Sequence, residues 1–275
     1  MPYHQPPERS HPEPYGTPRG PGEVTTLRTN DGVRLWARHL PCHQPGDRPP
    51  DLGIVVAHGF TGSARRPAVR RVVDVLARAA GVVSFDFRGH GHSGGHSTVG
   101  DQEVWDLAAA VGWAGRLGYR QVATVGFSMG AAVALRHAAA VGGVAAVAAI
   151  SGPSRWYYRD TAPMRRAHWV IETRLGRLTG RVLRRTRIAA DGWKPEPQPP
   201  DAAAARIAPT PLLVVHGDAD PLFPVSHARA LYEAAAQPKQ LWIEPGFGHA
   251  EAAATPELLD RVGEWLHRSA RQPGG

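Results

Sequence analysis

A chain of 275 residues, 42% of them hydrophobic, can bury one large core, so its length and composition give no reason to divide it into several folded domains. The formal net charge of +8 favours anionic partners. The single cysteine excludes an internal disulfide and fits a reducing cytoplasm, where we expect the protein. The longest apolar run, residues 141–150, is too short to span a membrane and is more typical of a strand.

The first 22 residues differ in composition from the rest of the chain. They are rich in Pro, His and Glu and contain no apolar stretch. Such a segment buries too little apolar surface to fold, and it lacks the apolar core of a signal peptide. We therefore expect a disordered leader over residues 1–22, followed by a folded core over residues 23–150 and 209–272.

From residue 24 onward, strand and helix patterns alternate. An opening hairpin is predicted over residues 24–29 and 33–40, because Asn30-Asp31-Gly32 is a strong turn signal. Further buried strands are predicted at residues 52–57, 81–87, 121–125, 141–150, 211–215 and 240–244. Helices are predicted at residues 64–79, 102–117, 129–140, 226–236 and 256–269. This alternation indicates a single α/β core.

A candidate nucleophile lies between the strand predicted at 121–125 and the helix predicted at 129–140. The segment in question is Gly126-Phe127-Ser128-Met129-Gly130. It fits the pattern G-x-S-x-G, in which a serine occupies a strained turn and the glycines allow close packing that a side chain would block. Because strand, turn and helix occur in the required order, we interpret Ser128 as a nucleophile rather than as part of a connecting loop.

A serine hydroxyl needs a base to take its proton and an acid to orient that base. Asp220 follows the predicted strand at 211–215, and His249 lies in a glycine-flanked loop after the strand at 240–244. Asp218, two residues before Asp220, is an alternative acid. The sequence thus predicts Ser128 as nucleophile, His249 as base and one of these two aspartates as the acid.

Backbone N–H groups are expected to stabilise the oxyanion that forms on attack. One should belong to Met129, the residue after the nucleophile. The other should follow the strand at 52–57, which runs into His58-Gly59-Phe60-Thr61-Gly62. Because Gly59 lets the backbone turn sharply, the amide of Phe60 can point at the developing charge. The predicted oxyanion hole therefore consists of Phe60 and Met129.

The motifs together resemble those of the serine α/β-hydrolase superfamily. The segment at residues 58–60 is similar to its oxyanion segment, and residues 86–93 are similar to its D-x-R-G-x-G-x-S loop. Ser128, Asp220 and His249 follow the family's chain order, and the family spacing H-G-x-x-D selects Asp220 over Asp218. The resemblance spans roughly residues 24–270.

This resemblance implies an α/β-hydrolase fold: an eight-stranded, mostly parallel sheet flanked by helices, with an inserted helical lid and the site at the carboxyl edge of the strands. The segment His58-Gly59-Phe60-Thr61-Gly62 also resembles that of small bacterial carboxylesterases. We therefore expect cleavage of small-molecule carboxylic esters through an acyl-enzyme, without a cofactor. His90, His92 and His96 lie close together in sequence, but no paired carboxylate or cysteine is adjacent, so we expect no metal site.

Residues 151–208 interrupt the alternation of strands and helices where this fold commonly inserts a lid. Residues 155–187 contain ten arginines against Asp160 and Glu172, so this stretch carries a net charge equal to that of the whole chain. Apolar residues recur at helical spacing among the arginines, which indicates a basic amphipathic helix. The candidate substrate-binding residues of the lid are Trp156, Arg184 and Arg185.

The charge of the lid leaves three interpretations open: a solvated face, a site for an acidic substrate such as acyl-coenzyme A or a phospholipid, and contact with an anionic membrane surface. Nucleic acid is not an expected partner, since no recognised binding module accompanies the charge. Two alternatives to a carboxylesterase therefore remain. One is a thioesterase or lysophospholipase that acts on an anionic acyl substrate, and the other is a non-catalytic member of the fold that only binds ligands.

Overall fold

The computed structural model describes residues 22–43 and 51–271, so the leader predicted at residues 1–22 lies outside the described residues except for Gly22. The strands are β1 (Val24–Arg28), β2 (Arg34–Leu40), β3 (Leu52–Ala57), β4 (Gly81–Phe85), β5 (Gln121–Phe127), β6 (Ala146–Ile150), β7 (Leu212–Gly217) and β8 (Lys239–Glu244). The helices are α1 (Pro67–Leu76), α2 (Glu103–Arg116), α3 (Met129–Ala140), α4 (Ala162–Glu172), α5 (Arg174–Arg184), α6 (Pro200–Ala204), α7 (Val225–Ala234), α8 (Ala250–Ala253) and α9 (Pro256–Arg271).

The strands form one eight-stranded sheet in the order β1-β2-β4-β3-β5-β6-β7-β8. Strand β2 pairs antiparallel with β1 and with β4, and the neighbours from β4 to β8 all pair in parallel. This confirms the predicted eight-stranded, mostly parallel sheet. Because parallel strands end at a common edge, the loops after β3, β5, β7 and β8 lie near one another there.

Helices cover both faces of the sheet, which explains why its central strands are apolar along their whole length. Every residue of β3, β4, β6 and β7 is buried. One core cluster joins the sheet to α2 and α3, and a second joins it to α1 and α9. Strand β2 at the antiparallel end instead alternates, with Leu35 and Ala37 turned into the core.

Two elements begin several residues later than the sequence predicts, and both differences have local causes. Helix α1 begins at Pro67 rather than at residue 64, because a residue before proline is held out of the helical region and Arg66 is extended. Strand β6 begins at Ala146 rather than at residue 141. Val141 instead caps α3, and Gly142 and Gly143 have positive φ.

Between β6 and β7 the chain leaves the sheet and forms α4 and α5. Thr161 and Thr173 precede these helices, and their side chains accept hydrogen bonds from the N–H groups of Met164 and Gly176. Apart from Gly176 and Gly180, the residues of the two helices are partly or fully exposed. Helix α6 differs, since its Ala203 and Ala204 belong to the core cluster beside α3. None of the described helices is both long and apolar enough to cross a bilayer.

Main-chain hydrogen bonds attach the segment after α5 to the core. The N–H of Arg187 donates to the carbonyl of Gly89 (2.7 Å), and the N–H of Ala189 donates to the carbonyl of Ser97 (2.8 Å). Ser97 in turn donates to the carbonyl of Arg187 (2.7 Å), and a parallel bridge pairs Ser97 with Ile188. This end of the exposed segment is thus tied to the loops that follow β4.

Candidate active site

Ser128 lies on a sharp turn between β5 and α3. Its φ of 52° and ψ of −115° are strained for a residue with a side chain. The turn needs glycine on both sides, because a Cβ on Gly126 would lie 2.2 Å from the carbonyl oxygen of Gly130, and a Cβ on Gly130 would lie 2.1 Å from that of Ala57. The geometry is that of a nucleophile elbow, which presents the serine hydroxyl above the sheet edge.

The fold brings Ser128, His249 and Asp220 together. His249 Nε2 is 3.0 Å from the Oγ of Ser128, and its Nδ1 is 2.7 Å from an oxygen of Asp220. Because an ionised carboxylate only accepts hydrogen bonds, Nδ1–H donates to Asp220 and Nε2 is left free to accept the serine proton. The arrangement can therefore move a proton from Ser128 to His249.

The Asp220 side chain is buried and held in place by the backbone. Its second oxygen accepts hydrogen bonds from the N–H groups of Leu222 (2.8 Å) and Phe223 (3.1 Å). Burial alone would raise the pKa of this carboxyl, but the hydrogen bond and charge of His249, together with these backbone donors, bring the pKa below its ordinary value. Asp220 is thus a fixed negative charge beside the imidazole.

Asp218, the alternative acid, and His58 of the oxyanion segment lie outside the group formed by Ser128, His249 and Asp220. The carboxylate of Asp218 is exposed and accepts from the N–H of Gly246 (2.7 Å), away from His249. His58 is buried, with its Nδ1 at the carbonyl of Gly59 (2.8 Å) and its Nε2 accepting from the N–H of Phe87 (3.1 Å). In the described part of the chain, His and acidic side chains form no group of three or more that could hold a metal ion.

The two N–H groups predicted for the oxyanion hole have no hydrogen-bond partner among the described residues. Met129 is the first residue of α3, where an N–H has no partner within the helix. Phe60 follows Gly59, whose position lies against Ser128: a Cβ added there would be 3.3 Å from the serine Cβ. Neither N–H is therefore occupied by an acceptor among the described residues.

Glu251 is a site residue that no pattern in the sequence indicates. Its carboxylate accepts a hydrogen bond from the N–H of Gly59 (2.6 Å), directly before Phe60 in the oxyanion segment. Burial raises the pKa of this carboxyl. The only sequence signal was its position two residues after His249, at the start of α8.

A cavity of about 780 Å³ opens over Ser128 and is lined mainly by apolar side chains. We call it the main cavity. Residues of the core form its floor: Gly59, Phe60, Ser128, Met129 and His249. Residues between β6 and β7 form its walls and roof: Trp156, Met164, Ile171, Leu183, Arg184 and Trp193. The volume suits a small-molecule ligand with an extended apolar part.

The three predicted substrate-binding residues of the lid do not share one cavity. Trp156 lines the main cavity, its Nε1–H donates to the carbonyl of Pro197 (2.9 Å), and its ring lies 5.1 Å from that of Trp193. Arg184 lines both the main cavity and a second cavity. Arg185 lines only the second cavity.

Comparisons with known proteins agree with this geometry. A model of the alpha/beta hydrolase family matches residues 54–267. An uncharacterised protein of Mycobacterium tuberculosis is 27% identical over 242 residues, which cover 87% of this chain and 75% of that protein. A monoacylglycerol lipase of Mycolicibacterium smegmatis is 29% identical over 255 residues, which cover 80% of this chain and 89% of the lipase.

A solved structure shows the same likeness. An esterase of Pyrococcus furiosus superposes with a TM-score of 0.70 at 25% identity, covering 92% of this chain and 99% of the esterase. The matched part of the chain holds the sheet from β3 to β8, the serine elbow and the loops that carry Asp220 and His249. This chain therefore belongs to the alpha/beta hydrolase family.

Proposed function

We propose that this protein is a serine carboxylesterase that acts on small-molecule esters through an acyl-enzyme on Ser128. The observation that carries the proposal is the continuous set of hydrogen bonds from Ser128 through His249 to Asp220, at 3.0 and 2.7 Å. The unpartnered amides of Phe60 and Met129 beside the serine add to it. The esterase and lipase relatives support the same reaction class.

The proposed reaction has two steps that use the same residues. In the first, His249 Nε2 takes the proton of Ser128 while Oγ bonds to the ester carbonyl carbon, and the two amides hold the oxyanion. The ester C–O bond then breaks, and His249 gives its proton to the departing alcohol. In the second step, His249 deprotonates water, which attacks the acyl carbon. The bond from that carbon to Oγ then breaks, His249 returns the proton to Ser128 and the acid is released. The fixed charge of Asp220 stabilises the imidazolium each time, and these steps need no cofactor.

The main cavity supports an ester with an apolar acyl or alcohol part. Its walls are mainly apolar, and it opens directly over Ser128. Contact of the lid with an anionic membrane surface, the absence of nucleic acid among the partners and a cytoplasmic location stay predictions. The exposed Leu175, Leu178 and Val182 of α5 are consistent with the membrane contact.

The proposal is tested with Ser128→Ala. We expect this variant to lose turnover of p-nitrophenyl butyrate by at least about a thousandfold, because no other group can form the acyl-enzyme. A fluorophosphonate probe should label the wild type at one site and leave the variant unlabelled. Circular dichroism of both proteins provides the folding control.

Two outcomes would contradict the proposal. Undiminished turnover in the variant would assign the activity elsewhere. Saturable binding of esters by the wild type without turnover or labelling would instead favour a member of the fold that only binds ligands.

A further inference from the structure

A second cavity, of about 450 Å³, lies beside the main cavity. We call it the arginine cavity. One wall comes from the loop after β3 with Ser63, Arg65 and Arg66, and another wall comes from the end of α5 with Arg184 and Arg185. Arginines from two distant parts of the chain thus face one space.

The four arginines bring positive charge to this space that no described ion pair offsets. Arg65, Arg66, Arg184 and Arg185 form no ion pair with any described carboxylate, and no acidic residue lines the cavity. The buried carboxylate of nearby Asp86 already accepts hydrogen bonds from two backbone N–H groups. Four arginines that line one space, with no acidic residue in its lining, favour an anionic ligand.

Contacts within the arginine cavity leave most of its donors free. Arg65 Nη1 lies 2.9 Å from Nε2 of His92, and this is the one side-chain hydrogen bond that the four arginines make among the described residues. Arg66 makes no side-chain hydrogen bond. Its charge lowers the pKa of Glu251, while burial, which is the larger effect, raises that pKa. The forked donors of guanidinium groups match the oxygens of a phosphate, which carries close to two negative charges at neutral pH.

The arginine cavity is within reach of the reacting bond. Leu183 and Arg184 line both cavities, so the two spaces adjoin across these side chains. Ser63 follows Phe60 by three residues. Three residues of chain span at most about 11 Å, so the Cα of Ser63 lies no farther than that from the Cα of Phe60. A ligand can therefore hold its ester at Ser128 and an anionic group in the arginine cavity.

We propose that the arginine cavity binds the phosphate group of an acyl ester whose acyl chain occupies the main cavity. This inference rests on the proposed esterase function and adds the substrate class, a phosphorylated alcohol bearing one acyl chain. The protein then selects such esters over neutral esters with the same acyl chain. Arg185 contributes to this selection without lining the main cavity.

The test compares 1-hexanoylglycerol 3-phosphate with 1-hexanoylglycerol, two water-soluble esters that differ only in the phosphate. The test variant is Arg65→Gln/Arg185→Gln, which removes one charge from each wall. The matched control, Arg174→Gln/Arg181→Gln, removes two charges from α5 residues that line neither cavity. We expect the ratio of kcat/KM for the phosphorylated ester to that for the neutral ester to fall at least tenfold in the test variant, through KM. In the control it should stay within twofold of the wild type.

Binding of inorganic phosphate gives a readout that does not depend on turnover. In calorimetric titrations at constant ionic strength, the wild type and the control should bind phosphate saturably, and the test variant should bind at least tenfold more weakly. If the wild type binds phosphate but the test variant keeps the wild-type ratio of kcat/KM for the two esters, the cavity is a site for free phosphate and not for the phosphate group of a substrate. This result would overturn the proposal. If the kcat/KM ratio and the phosphate affinity fall equally in the test and control variants, the whole lid attracts anions diffusely, as it would attract a membrane surface. This result would also overturn the proposal.

The two proposals fail in distinguishable ways. If the wild type hydrolyses the neutral ester but shows neither phosphate binding nor a change of ratio, the arginine cavity assignment is wrong and the esterase proposal stands. If the wild type hydrolyses neither ester, the esterase proposal and the substrate assignment are both wrong. The titration then still decides whether the cavity binds phosphate.

Discussion

Glu251 fixes the backbone of the oxyanion segment through its 2.6 Å hydrogen bond from the N–H of Gly59. Removing the carboxylate in Glu251→Ala leaves this N–H without its acceptor and frees the adjacent Phe60 amide to move. Because small displacements of a stabilising group are costly in rate, we expect kcat for a neutral ester to fall about tenfold to a hundredfold, with KM little changed.

Glu251→Gln is the matched control for this prediction. Its amide oxygen can still accept from Gly59, so most of the lost kcat should return. A role limited to packing would affect the thermal stability of both variants and leave their kcat close to that of the wild type. That result would contradict the assignment of Glu251 as a positioning residue.

His137 in α3 is a buried histidine whose two ring nitrogens have no hydrogen-bond partner among the described residues. Burial lowers its pKa to about 4. An unpaired buried polar group costs on the order of 1 kcal/mol or more, so His137→Leu should raise the free energy of unfolding by about 1 kcal/mol at pH 8. Urea titration with a fluorescence readout would measure this difference in the free energy of unfolding between the variant and the wild type.

The same variant should change how stability depends on pH. The unfolded chain takes up a proton at His137 near the ordinary histidine pKa of about 6.5, and the folded chain only near 4. The wild type therefore loses stability as the pH falls through this window, and the advantage of His137→Leu should grow by about 2 kcal/mol between pH 8 and pH 5. An advantage that stays constant with pH would contradict the assigned pKa.

Among single residues, the sequence could predict those that belong to a local motif. Ser128 lies in a five-residue pattern, and Asp220 and His249 each follow a predicted strand. Glu251 has no such pattern, because its partner Gly59 precedes it by 192 positions and only the fold joins them. His137 is an ordinary helical residue in the sequence, and its burial depends on how α3 packs.

Among the elements, the junction of β5 and α3 tolerates the least change. In Gly126→Ala the new Cβ would lie 2.2 Å from the carbonyl oxygen of Gly130, so strand and helix would have to separate. We expect a loss of about 3 kcal/mol or more in the free energy of unfolding, measured by urea titration.

Gly115→Ala in the last turn of α2 is the control for this prediction. A Cβ at Gly115 meets nothing within 4 Å, so the substitution should stabilise the protein by about 0.5–1 kcal/mol through the helical preference of alanine. If Gly126→Ala were as stable as the wild type, the elbow would be looser than its contacts indicate.

Most elements could be predicted because the central strands are apolar throughout and the helices carry one apolar face. Their ends were less predictable where single residues decide them, as Pro67 does for α1. The arginine cavity could not be predicted, although Arg184 and Arg185 were candidate residues. Its walls come from the loop after β3 and the end of α5, and no pattern in either segment shows that they meet.

For the whole molecule, the main cavity between the sheet and the exposed helices should determine which acyl chains are preferred. Each methylene buried on binding contributes about 0.8 kcal/mol, which corresponds to about fourfold in kcat/KM. We expect kcat/KM for p-nitrophenyl esters to rise with each added carbon from acetate until the 780 Å³ cavity is filled.

Met164→Trp provides a check on this prediction, since Met164 lines the main cavity and a larger side chain reduces its volume. The preferred chain in this variant should be shorter than in the wild type. An activity that is independent of chain length in both proteins would mean that the acyl group lies outside the cavity.

The attachment of the segment after α5 has a consequence for how this protein can diversify. The hydrogen bonds at Gly89, Ser97 and Arg187 join main-chain groups, which nearly every amino acid possesses. They place little demand on the composition of α4 and α5, so mutations can accumulate there while the anchorage persists. A protein engineer could exchange this helical hairpin for one of different charge and keep the sheet intact. Ligand preference and bond cleavage can therefore evolve at different rates in the same chain.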